Sequence, residues 1–210
     1  MIDFFGFGTA NGQKVAIMLE ETGLPYTLKP LDMMKGAHKS PEYLAVNPVG
    51  KMPAIVDHDG PGGKPLKVFE TLAICLYLGE KSGKLIPVGL AERALAYEWS
   101  CVVLSDLGPA FSAQFNLKNL KADTTAAVDY YVQLVHRFLR VLDERLAAAP
   151  YLAGAEYSYA DVQLYPVITV SGKRLGENGL APYKHILGWR DRVSQRPAVK
   201  RGEAVLPGLF

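Results

Sequence analysis

The chain has 210 residues, 49% of them hydrophobic, a formal net charge of +2 and two cysteines. That length allows one large domain or two small ones with a sizeable core. The small charge is spread along the chain, which argues against nucleic acid or an anionic membrane surface as the main partner. No run reaches the roughly 20 apolar residues of a spanning helix, and Met1 to Phe4 do not resemble a signal peptide. The two cysteines do not suggest a disulfide scaffold. We expect a soluble, cytoplasmic protein, and no metal site is predicted.

The first part of the chain alternates strand and helix patterns. Val15, Met18, Leu19 and Thr22 have the spacing of one helix face, and Ser40-Pro41 suits a helix start. In chain order the predicted elements are a strand at Ile2–Phe5, a helix over 12–23, a strand at Tyr26–Leu31, a short helix through Val46, strands at Ala54–Asp57 and Lys67–Phe69, and a helix marked by Leu72, Cys75, Leu76 and Gly79. The order βαβαββα, with a mixed four-stranded sheet, is typical of a thioredoxin-like α/β domain over residues 1–83.

From residue 91 onward the patterns are helical. The predicted helices cover 91–107, a long apolar stripe from Val128 to Leu146, a helix opened by Ser158 and Asp161 as a capping box, and Tyr183–Gln195, closed by Pro197. Pro166 predicts a kink or an early end in the third of these. Residues 84–90 are expected to be a linker, and 91–210 an all-helical domain.

The turn after the first strand carries no cysteine. A redox protein of this shape would have Cys-x-x-Cys there, but the chain has Thr9-Ala10-Asn11-Gly12. If the site performs thiol chemistry, the thiol must therefore arrive on a ligand. Thr9 and Asn11 offer donors at a helix N-terminus, where a thiolate is stabilised. The alternative is that one of them merely caps the helix.

Two further segments are expected at the same edge of the sheet. A cis peptide at Met52-Pro53 would leave the Met52 backbone able to pair with a bound peptide, whereas a trans proline would simply enter a strand. Thr71, taken as an N-cap, would hold a carboxylate, and Glu70 would hold the ammonium group beside it, although both also suit a plain helix start. His38 and Lys51 could bind a second carboxylate of the same ligand. The alternative is that both are solvated surface residues. Together these features describe a site for glutathione.

The chain resembles the cytosolic glutathione transferases over essentially its whole length. The resemblance rests on Asn47-Pro48-x-Gly50-Lys51-x-Pro53-Ala54-Ile55, on Phe69-Glu70-Thr71, and on Tyr151-Leu152-Ala153-Gly154 with Ser158-x-Ala160-Asp161. It implies a thioredoxin-like glutathione-binding domain, a helical acceptor-substrate and dimerisation domain, and a two-fold homodimer.

A narrower resemblance is to the bacterial nu class and its fungal regulator-like relatives. It rests on 9–15, 57–61, 107–111 and 137–143. The resemblance implies that Thr9 and Asn11 stabilise the glutathione sulfur. It also implies that Met52, before Pro53, gives main-chain bonds, that Glu70 and Thr71 hold the γ-glutamyl head, and that Arg137 helps to hold a second glutathione. The departures from the class pattern are Thr71 for Ser, Leu72 for Gly, His38 for Gln, and the stretch 112–115.

The leading hypothesis is a glutathione-dependent transferase and disulfide reductase whose nucleophile is the bound glutathione thiolate. The acceptor is expected near Trp99, Phe111, Phe115 and Tyr165. Conjugation or isomerisation of small electrophiles is an alternative, as is a regulatory protein that binds glutathione without turnover. Cys75 and Cys101 are expected to be core residues.

Overall fold

A computed structural model of the chain describes residues 1–33, 35–176 and 178–206. These residues form two compact units. The first consists of Met1–Ile86 together with the described residues from Ser194 onward, and the second consists of Pro87–Val193.

A mixed four-stranded sheet with strand order β2-β1-β3-β4 forms the centre of the first unit. Its β1 is parallel to β2 and antiparallel to β3, which in turn is antiparallel to β4. The elements of this unit before residue 86 are β1 (Ile2–Gly6), α1 (Ala10–Thr22), β2 (Tyr26–Pro30), α2 (Pro41–Leu44), β3 (Ala54–Asp57), β4 (Leu66–Phe69) and α3 (Thr71–Ser82). The predicted order and the mixed sheet are confirmed, and the bounds shift by only one or two residues.

Helix α1 is buried on nearly all sides, from Gly12 through Leu19. It packs against α3 and also against a helix from the end of the chain, α9 (Pro197–Val205). A Cβ at Gly202 would lie 2.6 Å from the Ile17 Cα, so glycine permits the two helices to approach closely. Two ion pairs link the same elements: Arg196 to Glu21 at 2.6 Å and Arg201 to Glu20 at 2.6 Å.

Helix α9 corrects the sequence analysis at the end of the chain. Pro197 was expected to close the last helix, but it opens α9 at the first helical position, where its missing N–H costs no hydrogen bond. The expected helical domain ran from 91 to 210, whereas α9 packs with the sheet unit. The reason is tertiary, since α9 completes the cover over α1.

Among the residues described, the second unit consists of helices joined by loops, with one isolated β-bridge between Tyr151 and Gly154. After α4 (Leu90–Cys101) the chain continues through a π-helical stretch, Val102–Leu107, into α5, so the single helix predicted over 91–107 is corrected. The other helices are α5 (Gly108–Lys118), α6 (Thr125–Ala148), α7 (Tyr159–Pro166) and α8 (Lys184–Ser194). None of the helices described has the length and apolar character needed to cross a membrane.

Helix α7 is buried along its whole length and is opened by the predicted capping box. The carboxylate of Asp161 accepts hydrogen bonds from the backbone N–H groups of Leu152 and Ser158, each at 3.0 Å, and from the Trp189 indole at 2.9 Å. Burial outweighs these donors and raises the pKa of Asp161 to about 6. The helix ends at Pro166 and passes into a π-helical turn, as the proline predicts.

Three side-chain expectations are corrected in this unit. Cys101 is exposed, whereas Cys75 of the first unit is buried as expected. Phe111 and Tyr165 are 1% and 2% exposed, so they pack in the core and offer no surface to an acceptor. Tyr165 lies on α7, which is buried along its whole length, whereas Phe111 lies on the one buried face of α5. The sequence pattern does not reveal which neighbours cover these positions.

Candidate functional site

Three segments of the first unit meet at one edge of the sheet. The register pairs Phe5 of β1 with Ala54 of β3, and Ala54 with Phe69 of β4. The end of β1, the start of β3 and the end of β4 are therefore neighbours. The chain continues from these points into the Thr9 turn, back to Pro53 and into Glu70. The convergence expected from the sequence is thus present in the structure.

The turn at Thr9 is fixed by local hydrogen bonds and by a glycine. Thr9 is the N-cap of α1, and its Oγ1 accepts from the Gly12 N–H at 3.2 Å. Its own N–H donates to the Phe7 carbonyl at 2.7 Å. A Cβ at Gly12 would lie 2.1 Å from that carbonyl oxygen, so only glycine fits. Since the capping bond uses Oγ1 as an acceptor, the hydroxyl proton remains available to a ligand.

Asn11 follows in the first turn of α1, and its side chain is exposed. Its Oδ1 accepts from the ammonium of Lys14 at 2.9 Å. The first turn of α1 carries no acidic residue, so the positive end of the helix dipole is not neutralised there. Lys14 was missed by the sequence analysis because a lysine in an amphipathic pattern is normally solvated. The available signal was its spacing of three from Asn11, which places both on one helix face.

The second segment contains Met52-Pro53, whose peptide bond is cis, which is the first of the two alternatives that the sequence left open. The loop before it is held by Tyr43 and Asn47, which donate to the Lys51 carbonyl at 2.6 and 2.7 Å. Within the described residues, neither the N–H nor the C=O of Met52 makes a hydrogen bond. This backbone can therefore pair with a bound peptide, as a free strand edge does.

The third segment turns the chain from β4 into α3. Glu70, not Thr71 as expected, is the N-cap of α3, and its φ of 69° lies in the left-handed half of the Ramachandran plot. Its side chain makes no capping bond and is exposed, whereas Thr71 is the first helical residue and is buried. The correction follows from β4, which continues to Phe69 and leaves a single residue for the turn.

His38 and Lys51 flank the loop before the cis peptide. His38 lies in a single 3₁₀ turn, Ala37–Lys39, and its carbonyl oxygen is 3.2 Å from where a Cβ of Gly50 would stand. Its Nδ1 is buried and has no hydrogen-bond partner among the described residues. Lys51 is exposed next to Met52. Both are close to the edge at which the three segments meet.

Arg137 belongs to the second unit. It lies on α6 with an exposed side chain, so its predicted contact with a ligand of the first unit remains a prediction. Of the aromatic residues expected near an acceptor, Phe115 is 42% exposed and carries the Arg174 guanidinium over its ring. Trp99 is half-buried and lies under Arg145.

Comparison with known proteins gives a family match for each part of the chain. Residues 10–81 match the family described as glutathione S-transferase, N-terminal domain, and residues 94–197 match glutathione S-transferase, C-terminal domain. The Escherichia coli disulfide-bond oxidoreductase YfcG is 36% identical over 208 residues, which cover 98% of this chain and 95% of YfcG.

Solved structures agree with this assignment. A glutathione transferase from Pseudomonas putida, with one glutathione disulfide bound per subunit, has a TM-score of 0.91 and 33% identity over 99% of this chain and 92% of its own. One from Burkholderia graminis, with two glutathione molecules bound per subunit, has a TM-score of 0.89 and 34% identity over 99% and 89%. The chain therefore belongs to the glutathione S-transferase family.

Proposed function

We propose that the protein uses bound glutathione to reduce disulfides, with the glutathione thiolate as the nucleophile. The observation that carries this proposal is the edge of the sheet where two helix N-termini meet an unpaired backbone segment. The edge offers hydroxyl and amide donors but no cysteine. A site that is built to stabilise a thiolate but contains no thiol needs one from its ligand.

Glutathione matches this edge group by group. Its sulfur would lie at the N-terminus of α1, where Thr9 and Asn11 donate hydrogen bonds. Its central backbone would pair with Met52, beside Pro53. Its γ-glutamyl head would place the ammonium at Glu70 and the carboxylate at the first N–H groups of α3, with Thr71.

The other end of glutathione carries the glycine carboxylate. His38 and Lys51 flank the same loop and would bind it. The buried Nδ1 of His38, which lacks a partner among the described residues, supports this part of the assignment.

The reaction balances with glutathione as the sole reductant. The thiolate attacks one sulfur of the substrate disulfide, the S–S bond breaks, and the leaving thiolate takes a proton from water. The thiolate of a second glutathione then attacks the mixed disulfide and releases glutathione disulfide and the second substrate thiol. Two glutathiones are oxidised for each disulfide reduced, and no enzyme cysteine takes part.

The relatives support a disulfide substrate and more than one glutathione per subunit. YfcG is named a disulfide-bond oxidoreductase, and the Burkholderia graminis structure holds two glutathiones per subunit. We propose that Arg137 helps to hold the second one, that the protein is a homodimer, and that it works in the cytoplasm, where glutathione is kept reduced.

The first test removes both thiols from the protein. We would assay glutathione-dependent reduction of a small disulfide, coupled to NADPH consumption by glutathione reductase, in the parent and in a Cys75→Ser, Cys101→Ser double variant. Retained turnover in the variant is expected. Loss of turnover in the variant alone would assign the chemistry to an enzyme thiol. No turnover in either, but activity with small electrophiles or binding alone, would favour conjugation or a regulatory protein.

The second test removes one donor. Thr9→Val keeps the side-chain volume but removes the hydroxyl, and we expect turnover to fall roughly tenfold or more, the scale of one oriented donor. Thr9→Ser is the matched control, because it keeps both the donor and the helix cap, and it should stay within a few-fold of the parent. Equal turnover in the two variants would remove the Thr9 hydroxyl from the mechanism.

A further inference from the structure

Lys14 is a buried lysine directly beneath the proposed sulfur position. Its side chain lies in the second turn of α1 and the residue is 2% exposed. Burial lowers the pKa of Lys14 to about 8, and the negative charge that Cys75 on α3 carries in its thiolate form partly opposes this shift. Buried lysines are rare unless they are paired, and in the described part of the chain Lys14 has no ion pair with a carboxylate.

Among the described residues, the Lys14 ammonium has one hydrogen-bond partner, Asn11, to which Nζ donates at 2.9 Å from Oδ1. A lysine ammonium has only donors, whereas an asparagine amide has an accepting end and a donating end. Lys14 therefore fixes the amide with its oxygen inward. The NH₂ group must then point to the opposite side, the exposed end of Asn11, because an inverted amide would set donors against donors.

Within the described residues no carboxylate neutralises the charge of Lys14, and an anionic ligand would provide such a counter-charge. A positive charge held in a low-dielectric environment is costly unless an anion lies nearby. The sulfur would be separated from Nζ by only the Asn11 amide and two hydrogen bonds. A thiolate at that place would therefore neutralise Lys14, and Lys14 would favour the thiolate over the thiol.

We propose that Lys14 is a positioning residue of the glutathione site, which orients the Asn11 amide toward the sulfur and provides the buried counter-charge of the thiolate. This inference rests on the proposed function, since it needs glutathione sulfur at Asn11. It adds a residue that acts through Asn11 and through charge, without touching the ligand.

The test uses the parent protein first. With lysine side chains labelled for NMR, and the Lys14 signal assigned by its absence in Lys14→Met, the Lys14 pKa is measured for the free protein, with glutathione, and with S-methylglutathione. Glutathione should raise the Lys14 pKa by about one unit or more, the scale of a nearby opposite charge. S-methylglutathione has no ionisable sulfur and should leave it unchanged. The same titration in Cys75→Ala should show the same rise, because the counter-charge is the ligand's.

The reciprocal effect is measured on the ligand. By linkage, Lys14→Met should raise the pKa of the bound glutathione thiol by at least the amount that glutathione raises the pKa of the lysine, because the substitution removes the charge and also the orientation of the Asn11 amide. The thiol pKa is read from the ultraviolet absorption of the thiolate. Lys14→Arg keeps the charge and should retain most of the effect. The affinity of Lys14→Met for S-methylglutathione should stay within about twofold of the parent, because that ligand carries no charge on sulfur.

Several results would overturn the proposal. One is an unchanged Lys14 pKa with glutathione bound, which decides the matter even if Lys14→Met does not fold. Another is a Lys14→Met variant whose affinities for glutathione and S-methylglutathione fall together, which would mean that Lys14 only supports the helix. A parent protein that binds no glutathione would overturn the proposed function itself and, with it, this inference.

Discussion

We predict that substitutions of Glu70 change the stability of the protein and its affinity for glutathione independently, because the backbone and the side chain of this residue have different roles. Its φ of 69° and ψ of 127° are rarely adopted by residues with a Cβ. Glu70→Gly should relieve this conformation and also delete the carboxylate. Glu70→Ala deletes the carboxylate but keeps the Cβ, and Glu70→Gln keeps the side-chain shape without its charge.

The size of each effect follows from the conformation and from the proposed contact. A residue held in such a region is strained by roughly 1–3 kcal/mol, and Glu70→Gly removes that strain. Glycine also increases the conformational entropy of the unfolded chain, which offsets about 0.5–1 kcal/mol of the gain in stability. Glu70→Gly should therefore be more stable than Glu70→Ala by about 1 kcal/mol, or roughly 2–4 °C in Tm for a chain of this size. Loss of a charge-assisted bond to the glutathione ammonium is worth roughly 1.5–3 kcal/mol, so all three variants should bind glutathione about tenfold to a hundredfold more weakly.

The two effects are measured separately. Urea unfolding of the free proteins gives the stability difference, and calorimetric titration with glutathione gives the affinities. Glu70→Gln provides the control, because it should lose affinity without gaining stability. The reasoning is refuted if Glu70→Gly is no more stable than Glu70→Ala. The placement of the ammonium at Glu70 fails if Glu70→Gln binds glutathione as tightly as the parent.

Two further predictions concern the first unit. Gly12→Ala would bring a Cβ to 2.1 Å from a backbone oxygen and should lower stability by about 2 kcal/mol or more. The control is Gly188→Ala on α8 of the second unit, where a Cβ would meet no described atom within 4 Å beyond its own helix backbone and chain neighbours; it should raise stability by about 0.5–1 kcal/mol. Equal effects of the two substitutions in urea unfolding would contradict this. Burial alone would raise the pKa of Asp57, but hydrogen bonds from Lys81 and Tyr77, at 2.6 and 2.5 Å, outweigh it and hold the pKa below 3.8. Asp57 therefore stabilises the fold above that pH and loses this contribution as the pH falls through its folded pKa. Lys81→Met should destabilise by about 1–3 kcal/mol at neutral pH, and by progressively less as the pH falls through the lowered pKa of Asp57. A difference that stays constant down to acid unfolding would refute the assignment.

Local sequence patterns were sufficient to predict most helices and strands of the chain. The apolar spacing of α1 and of the stripe on α6, the Ser158–Asp161 capping box and the end of α7 at Pro166 were predicted from neighbours a few residues apart. The peptide bond at Met52-Pro53 was left open between cis and trans by the sequence, and it is cis in the structure. The helix stripes, the capping box and the helix end depend on the chemistry of one segment and need no information about the rest of the fold.

The predictions that were wrong concern features that depend on distant parts of the chain. Pro197 gives the same local signal whether it ends one helix or begins the next, and only the packing of α9 on α1 decides between them. The exposure of Cys101 and the burial of Phe111 and Tyr165 likewise depend on which helices cover them.

The sequence by itself determined the family, the order of elements in the first unit and the residue types at the proposed glutathione site, because these follow from local patterns and motifs. Only the tertiary structure decided that Glu70 makes the turn into α3 and that Lys14 is buried against Asn11. A lysine between polar neighbours looks solvated in a one-dimensional pattern. It becomes a buried charge beneath the proposed thiolate position only when α3 and α9 pack around α1 and exclude water.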